Sequence, residues 1–204
     1  EEGFFNVLSI HSGQEHVHMP SYDDIRFARL LANKFNYVYY GHHPHVIQGF
    51  EHINKSAIFY SLGNFIFDDV YSARDNKRPL IKLSEANKTG LIGEIEITNG
   101  AISKVTSTEV YMGKNNMHIR NSISNDERNI YDHYLCDAGS SEYNKIRSSY
   151  ILNYINTRKE MRNFKWFVNR LNLNSVGILL KSKINSILYK KHFASKINYL
   201  EENK

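Results

Sequence analysis

The stretch Gly41-His42-His43-Pro44-His45-Val46 limits this chain more than any other. Three imidazoles fall within four positions, directly after the strand-type run Tyr37-Val38-Tyr39-Tyr40. That order predicts a strand whose C-terminal end delivers a histidine loop. Gly41 is expected to permit a sharp turn there. Pro44 fixes its own φ and pushes His43 out of the helical region. Such a loop presents His43 and His45 in a fixed relation, and neutral imidazole is the commonest metal ligand among side chains. A bare His-x-His is equally compatible with a loop of surface histidines.

Two further apolar runs flank the histidines. Val7-Leu8-Ser9-Ile10 reads as a short buried strand that ends at His11-Ser12-Gly13-Gln14-Glu15. Ala57-Ile58-Phe59-Tyr60-Ser61 reads as another, ending at Leu62-Gly63-Asn64-Phe65. Three strands would then deliver polar side chains just past their C-terminal ends, which is where open α/β sheets bind ligands. Asn64 is suited either to hydrogen-bond a phosphate or carboxylate oxygen or to cap the turn. Glu15 is either an acceptor for a histidine ring N–H or a solvated loop carboxylate.

From His11 to Asp68 the sequence resembles the C-terminal half of the CapA capsule-synthesis (poly-γ-glutamate synthesis) family. The resemblance rests on HSGQE, Pro20, the stretch Asp23 to Phe35, GHHPHVIQGFE and IFYSLGNFIFDD, in that order and spacing. Ser12 stands where the family usually has Trp, Asp24 where it has Gln, and Phe35-Asn36-Tyr37 where it has Gly-Ala-Asp. The family belongs to the calcineurin-like metallophosphoesterase superfamily. The resemblance therefore implies an α/β fold, the C-terminal part of a two-sheet sandwich, with two divalent metals (Mn, Fe or Zn) at strand ends. It also implies His11, His43 and His45 as metal ligands, favoured over His42, with Asn64 and Glu15 supporting. The remaining ligands would lie in an N-terminal half that these residues do not contain, so the chain is expected to be part of a longer protein. The implied activity is metal-dependent, phosphoesterase-like hydrolysis in making capsule or another anionic surface polymer. The alternative is an assembly or export protein that keeps the fold without turnover. The implied partner is the anionic polymer or its precursor, at the cell envelope or the cytoplasmic side of the membrane.

Local readings fill in the rest. His16 and His18 are expected as exposed loop residues. Ser21 caps a helix over residues 21–35, with Asp23 and Asp24 at its positive end. Ile25, Ala28, Ala32 and Phe35, with Leu31, form its core stripe. Gln48 and Glu51 are placed near the same cleft and His52 at the surface. Phe65 and Phe67 alternate as strand-type core residues. Residues 70–90 read as an exposed loop. Gly90–Thr98 and Ile102–Val110 read as a hairpin turned at Asn99-Gly100, completing the second sheet.

Charge divides the sequence. Residues 1–140 hold 13 Lys/Arg against 17 Asp/Glu, a net of −4, whereas residues 141–204 hold 13 against 4, a net of +9. Two regions follow, 1–125 as the α/β domain and 126–204 as a basic helical extension. In the extension, apolar residues recur at helical spacing around Tyr150 to Ile155, Phe164 to Leu171 and Leu180 to Leu188, with an interruption expected at Leu173-Asn174. Its helices are expected chiefly to pack, with an anionic membrane surface as a further partner of residues 141–204. No nucleic-acid motif is present, and nucleic acid is not expected. The single cysteine, Cys136, excludes an internal disulfide. No apolar run is long enough to span a membrane.

Overall fold

The computed structural model describes residues 4–72, 75–113, 117–120, 132–161 and 173–203. It is a mixed α/β structure in two compact units, Glu1–Arg147 and Ser148–Lys204.

The first unit is built on a four-stranded sheet in the order β1-β2-β4-β3. Strands β1 (Asn6–His11), β2 (Tyr37–His42) and β4 (Ser56–Phe59) run parallel, and β3 (Phe50–Ile53) closes one side antiparallel to β4. All four residues of β4 are buried, as befits a strand covered on both faces. Helix α1 (Tyr22–Ala32) connects β1 to β2. Its N-cap is Ser21, whose Oγ accepts from Asp24 N at 3.1 Å, and this satisfies one of the orphan donors at a helix start. Ile25, Ala28, Leu30 and Ala32 are buried along it. Tyr37 Oη donates to Ala28 O at 2.7 Å, which places α1 on the Tyr37 face of the sheet.

Side chains alternate along a strand, so Val38 points to the other face. There Val38, Ala57 and Phe59 form a cluster against which Ile95, Ile102 and Val105 pack. These last three come from a second sheet of β7 (Thr89–Thr98), β8 (Ala101–Met112) and β9 (Met117–Arg120). The β7–β8 hairpin turns at Asn99 and Gly100, both at positive φ (53° and 74°). A two-residue turn of this kind requires that conformation, and Asn-Gly supplies it at low cost.

Several expectations are corrected. Residues 70–90 are not a loop. They contain a bulged ribbon of β5 (Val70–Ser72) and β6 (Asp75–Ile81), then a 3-10 turn at Ala86–Lys88. Pro79 pairs with Tyr71 where the ribbon is bulged, a place at which a strand tolerates proline. Phe65 and Phe67 stand in an irregular segment and are 53% and 36% exposed. Phe35 lies beyond the end of α1 and is exposed, while Leu30 is buried in the stripe. Val7, on β1 at the edge of the sheet among the described residues, is 65% exposed.

Residues 132–147 are tied into this first unit. Phe50 N donates to Asp132 Oδ1 at 2.7 Å, and Arg29 Nη2 to Leu135 O at 2.6 Å. Tyr143 Oη donates to Pro20 O at 2.6 Å, and Arg147 Nε to Met19 O at 3.2 Å. Arg29 also meets Glu51, which accepts from Tyr60 Oη at 2.6 Å. Glu51 thus belongs to a structural network and not to the strand-end cleft.

The second unit is helical, with the continuation of α2 (Ser141–Met161) and α3 (Leu173–Glu202). Leu173-Asn174, where an interruption of the apolar run is expected, are the first described residues of α3, and the residues before them lie outside the described ones. The predicted apolar stripe from Phe164 to Leu171 lies outside the described residues. Tyr189 and Phe193, four residues apart on α3, stack at 6.1 Å.

Candidate functional site

Parallel pairing of β1 and β2 sets His11 directly opposite His42. Their Nδ1 atoms lie 2.9 Å apart, with the rings edge to face. Only one of the two nitrogens can carry the proton in such a contact, so at least one ring presents a lone pair. His42 Nε2 lies 3.3 Å from Ser9 Oγ. The His43 ring is 4.6 Å from that of His11, and the His45 ring 6.1 Å from that of His43. The imidazoles of His11, His42, His43 and His45 therefore line one patch at the C-terminal ends of two neighbouring strands.

Gly41 contributes differently from what its turn chemistry suggested. It lies inside β2, and a Cβ there would sit 2.0 Å from Tyr60 O. Its role is close approach between β2 and the segment after β4, sealed by Leu62 N donating to Gly41 O at 3.1 Å. The turning is done by the histidines themselves, with φ of 104° at His43 and 59° at His45. Left-handed backbone at non-glycine residues costs on the order of 1–3 kcal/mol each and persists where the surroundings over-determine it.

Those surroundings are identifiable. His16 N donates to Pro44 O at 2.7 Å, and Ser12 N to His42 O at 3.2 Å. Asn87 is fully buried. Its Nδ2 donates to His45 O at 2.8 Å, and its backbone carbonyl accepts from Asn64 Nδ2 at 2.8 Å. With its amide nitrogen so engaged, Asn64 turns Oδ1 toward His45 Nδ1 at 2.8 Å. His45 then carries its proton on Nδ1 and presents the Nε2 lone pair outward, the tautomer a ligand would need. Asn64 is a positioning residue in this arrangement, because both ends of its carboxamide are occupied.

Burial, then the neighbouring His11, lowers the His42 pKa. Burial and His11 likewise lower that of His43, while the Glu15 carboxylate opposes them. Glu15 is thus near enough for His43 to feel its charge. His18, expected at the surface, is half-buried, with Nδ1 2.8 Å from Ile47 O, and burial lowers its pKa. His16 lies with its ring 6.4 Å from His45. Gln48 is buried and donates from Nε2 to Val17 O at 2.8 Å, which ties the two site loops together below the histidines. Two departures from the family pattern touch each other: Ser12 Oγ donates to Asp24 Oδ1 at 3.0 Å.

Sequence reasoning missed Asn87 and Phe67. Asn87 sits in a Ser84-x-x-Asn87 turn, a signal for local hydrogen bonding that carries nothing about His45. Phe67 lies with its ring 4.9 Å from His45 and walls that side of the patch.

In kind, the donors suit a divalent transition metal: neutral imidazoles, one with its tautomer fixed. In arrangement, the described residues hold no group of three or more His, Cys, Asp or Glu placed to hold a metal ion.

Residues 1–69 match the family model described as bacterial capsule synthesis protein PGA_cap. The PGA biosynthesis protein CapA of Bacillus subtilis (strain 168) is 35% identical over 104 residues, covering 51% of this chain and 27% of that protein. The capsule biosynthesis protein CapA of Bacillus anthracis is 31% identical over 103 residues, covering 50% of this chain and 25% of that protein. The chain thus spans about a quarter of the length of these two curated relatives. All six histidines of the two site loops, with Asn64 and Phe67, fall inside the segment that is similar to the bacterial capsule synthesis family.

Proposed function

We propose that this chain carries the histidine part of a divalent-metal-dependent, phosphoesterase-like site that serves synthesis of a poly-γ-glutamate-type capsule or a similar anionic surface polymer. The observation that carries the reading is the strand-end patch itself, with His45 held in one tautomer by Asn64 and its backbone carbonyl bonded by Asn87. Three parallel strands that end beside this patch, and a second sheet packed on their Val38 face, support a metallophosphoesterase-like sandwich. His11, His43 and His45, which do not close a three-donor set by themselves, would each contribute to a metal site completed by other donors, and the metal would supply a polarised phosphoryl or acyl oxygen and a hydroxide at neutral pH. Further donors would come from outside the described residues, since these contain no closed three-donor set. Within this chain, Asn64 holds the His45 proton on Nδ1, Asn87 O accepts from Asn64 Nδ2, and Phe67 walls one side of the His45 ring.

The missing third donor also favours a second reading, an assembly protein that keeps the fold without turnover. Hydrolysis of a generic phosphomonoester by the chain, with and without added Mn or Zn, separates the two. Metal-dependent release that disappears in His43→Ala supports the enzyme. Metal binding without release supports the assembly role.

A further inference from the structure

The parallel register sets Ser9 opposite Tyr40 and His11 opposite His42. Side chains alternate along a strand, so these four project from one face of the sheet, the Val38 face, at the ends of β1 and β2. Both ring nitrogens of His42 have a partner there. Nδ1 lies 2.9 Å from His11 Nδ1, and Nε2 lies 3.3 Å from Ser9 Oγ. The Tyr40 ring lies beside it, with 5.2 Å between ring centroids. The Nδ1–Nδ1 contact uses one nitrogen of His11 and leaves Nε2 as the one that can take a ligand.

We infer that His42 is a positioning residue: it accepts the Nδ1 proton of His11 and so leaves the His11 Nε2 lone pair for the metal. This rests on the metal reading above. A neutral imidazole has one N–H and one lone pair, and the hydrogen bond at one nitrogen decides which of them carries the proton. Were His42 the donor, His11 would hold its proton on Nε2 and offer a metal no lone pair. With His11 as donor, His42 keeps its own proton on Nε2 and donates it to Ser9 Oγ, a hydroxyl able to accept. Neither nitrogen of His42 is then left to coordinate. That separates His42 from His11, His43 and His45, although it stands in the same run of histidines. The arrangement repeats, with a different acceptor, what Asn64 Oδ1 does for His45 Nδ1 at 2.8 Å. Metal-bound histidines regularly donate their second N–H to such an acceptor.

NMR of the imidazole nitrogens in the histidine-labelled, metal-free 204-residue chain tests this. At about pH 8, where an imidazole of ordinary pKa, about 6.5, is neutral, His11 should be the Nδ1–H tautomer and His42 the Nε2–H tautomer. In His42→Ala the His11 ring should shift toward the Nε2–H tautomer, which an imidazole in water favours. In His42→Asn, whose Oδ1 takes the place of the lost Nδ1, it should return to Nδ1–H. Titration with Zn should follow the same order. Affinity should fall at least about tenfold in His42→Ala at unchanged stoichiometry, and recover to within about threefold of the parent in His42→Asn. His11 as the Nε2–H tautomer in the parent overturns the inference, as does a His11 tautomer or a Zn affinity that His42→Ala leaves unchanged. So does a loss of stoichiometry in both variants, which would make His42 itself a ligand. A parent with the expected tautomers that binds no Zn supports the His42 contact and overturns the metal reading alone.

Discussion

Ile58 and Ile184 are the same side chain put to opposite use. Ile58, in β4, has no exposed surface; Ile184, on α3, is 57% exposed. Around Ile58 the apolar residues come in short strand-length runs, and both faces are covered, by α1 and by the second sheet. Around Ile184 apolar residues are exposed on more than one side of α3, with lysines among them. Apolar content alone therefore does not distinguish a core strand from an exposed helix. What distinguishes them is whether the chain brings a second apolar surface to the first.

The largest expected effect breaks this contrast directly. Ile58→Ala should cost about 2–5 kcal/mol of stability, whereas Ile184→Ala should stay within about 0.5 kcal/mol. Urea denaturation followed by circular dichroism measures both. Equal losses would mean that Ile184 is packed as Ile58 is.

The next effect lies at the support beneath the histidines. Asn87→Ala removes the donor to His45 O and the acceptor for Ser84 Oγ, while the backbone carbonyl that accepts from Asn64 Nδ2 remains. Loss of the hydrogen bonds of this buried side chain should cost about 1–3 kcal/mol. Asn64→Ala, which removes the acceptor for His45 Nδ1, should weaken any metal binding by about tenfold or more. Asn203→Ala, at the end of α3, should change neither quantity, and the same denaturation and titration experiments check it.

The smallest effect is a pH dependence confined to the first unit. Burial lowers the His18 pKa in the fold. The unfolded chain then binds the proton first, near the ordinary imidazole value of about 6.5. Stability is unaffected above that value and falls as the pH drops below it. His42 and His43 are lowered and add in the same direction. His18→Gln should flatten the acid side of the melting-temperature profile. An unchanged slope would show that the proton uptake lies elsewhere.

The sequence-level reading worked where local chemistry and tertiary context agree. The β7–β8 hairpin followed from Asn99-Gly100 between alternating runs, and α1 from its Ser21 cap and apolar spacing. It failed where a distant partner decides. Gly41 looked like a turn residue, but its constraint is Tyr60 O, 19 residues away. Pro79 suggested a loop because its place on a bulged ribbon depends on Tyr71 opposite. The change of composition near residue 126 did not reveal that residues 132–147 hydrogen-bond to Met19, Pro20, Arg29 and Phe50. For the candidate site, the histidines were legible as a motif. The pairing of His11 with His42 required the strand register, and Asn87 required the tertiary fold.

Isothermal titration of the 204-residue chain with Mn or Zn tests the central claim most directly. The account predicts saturable binding at the strand-end patch that weakens at least about tenfold in His11→Ala, His43→Ala and His45→Ala, with His118→Ala matching the parent. Binding of equal affinity and stoichiometry in His43→Ala, or no saturable binding in the parent, would contradict it.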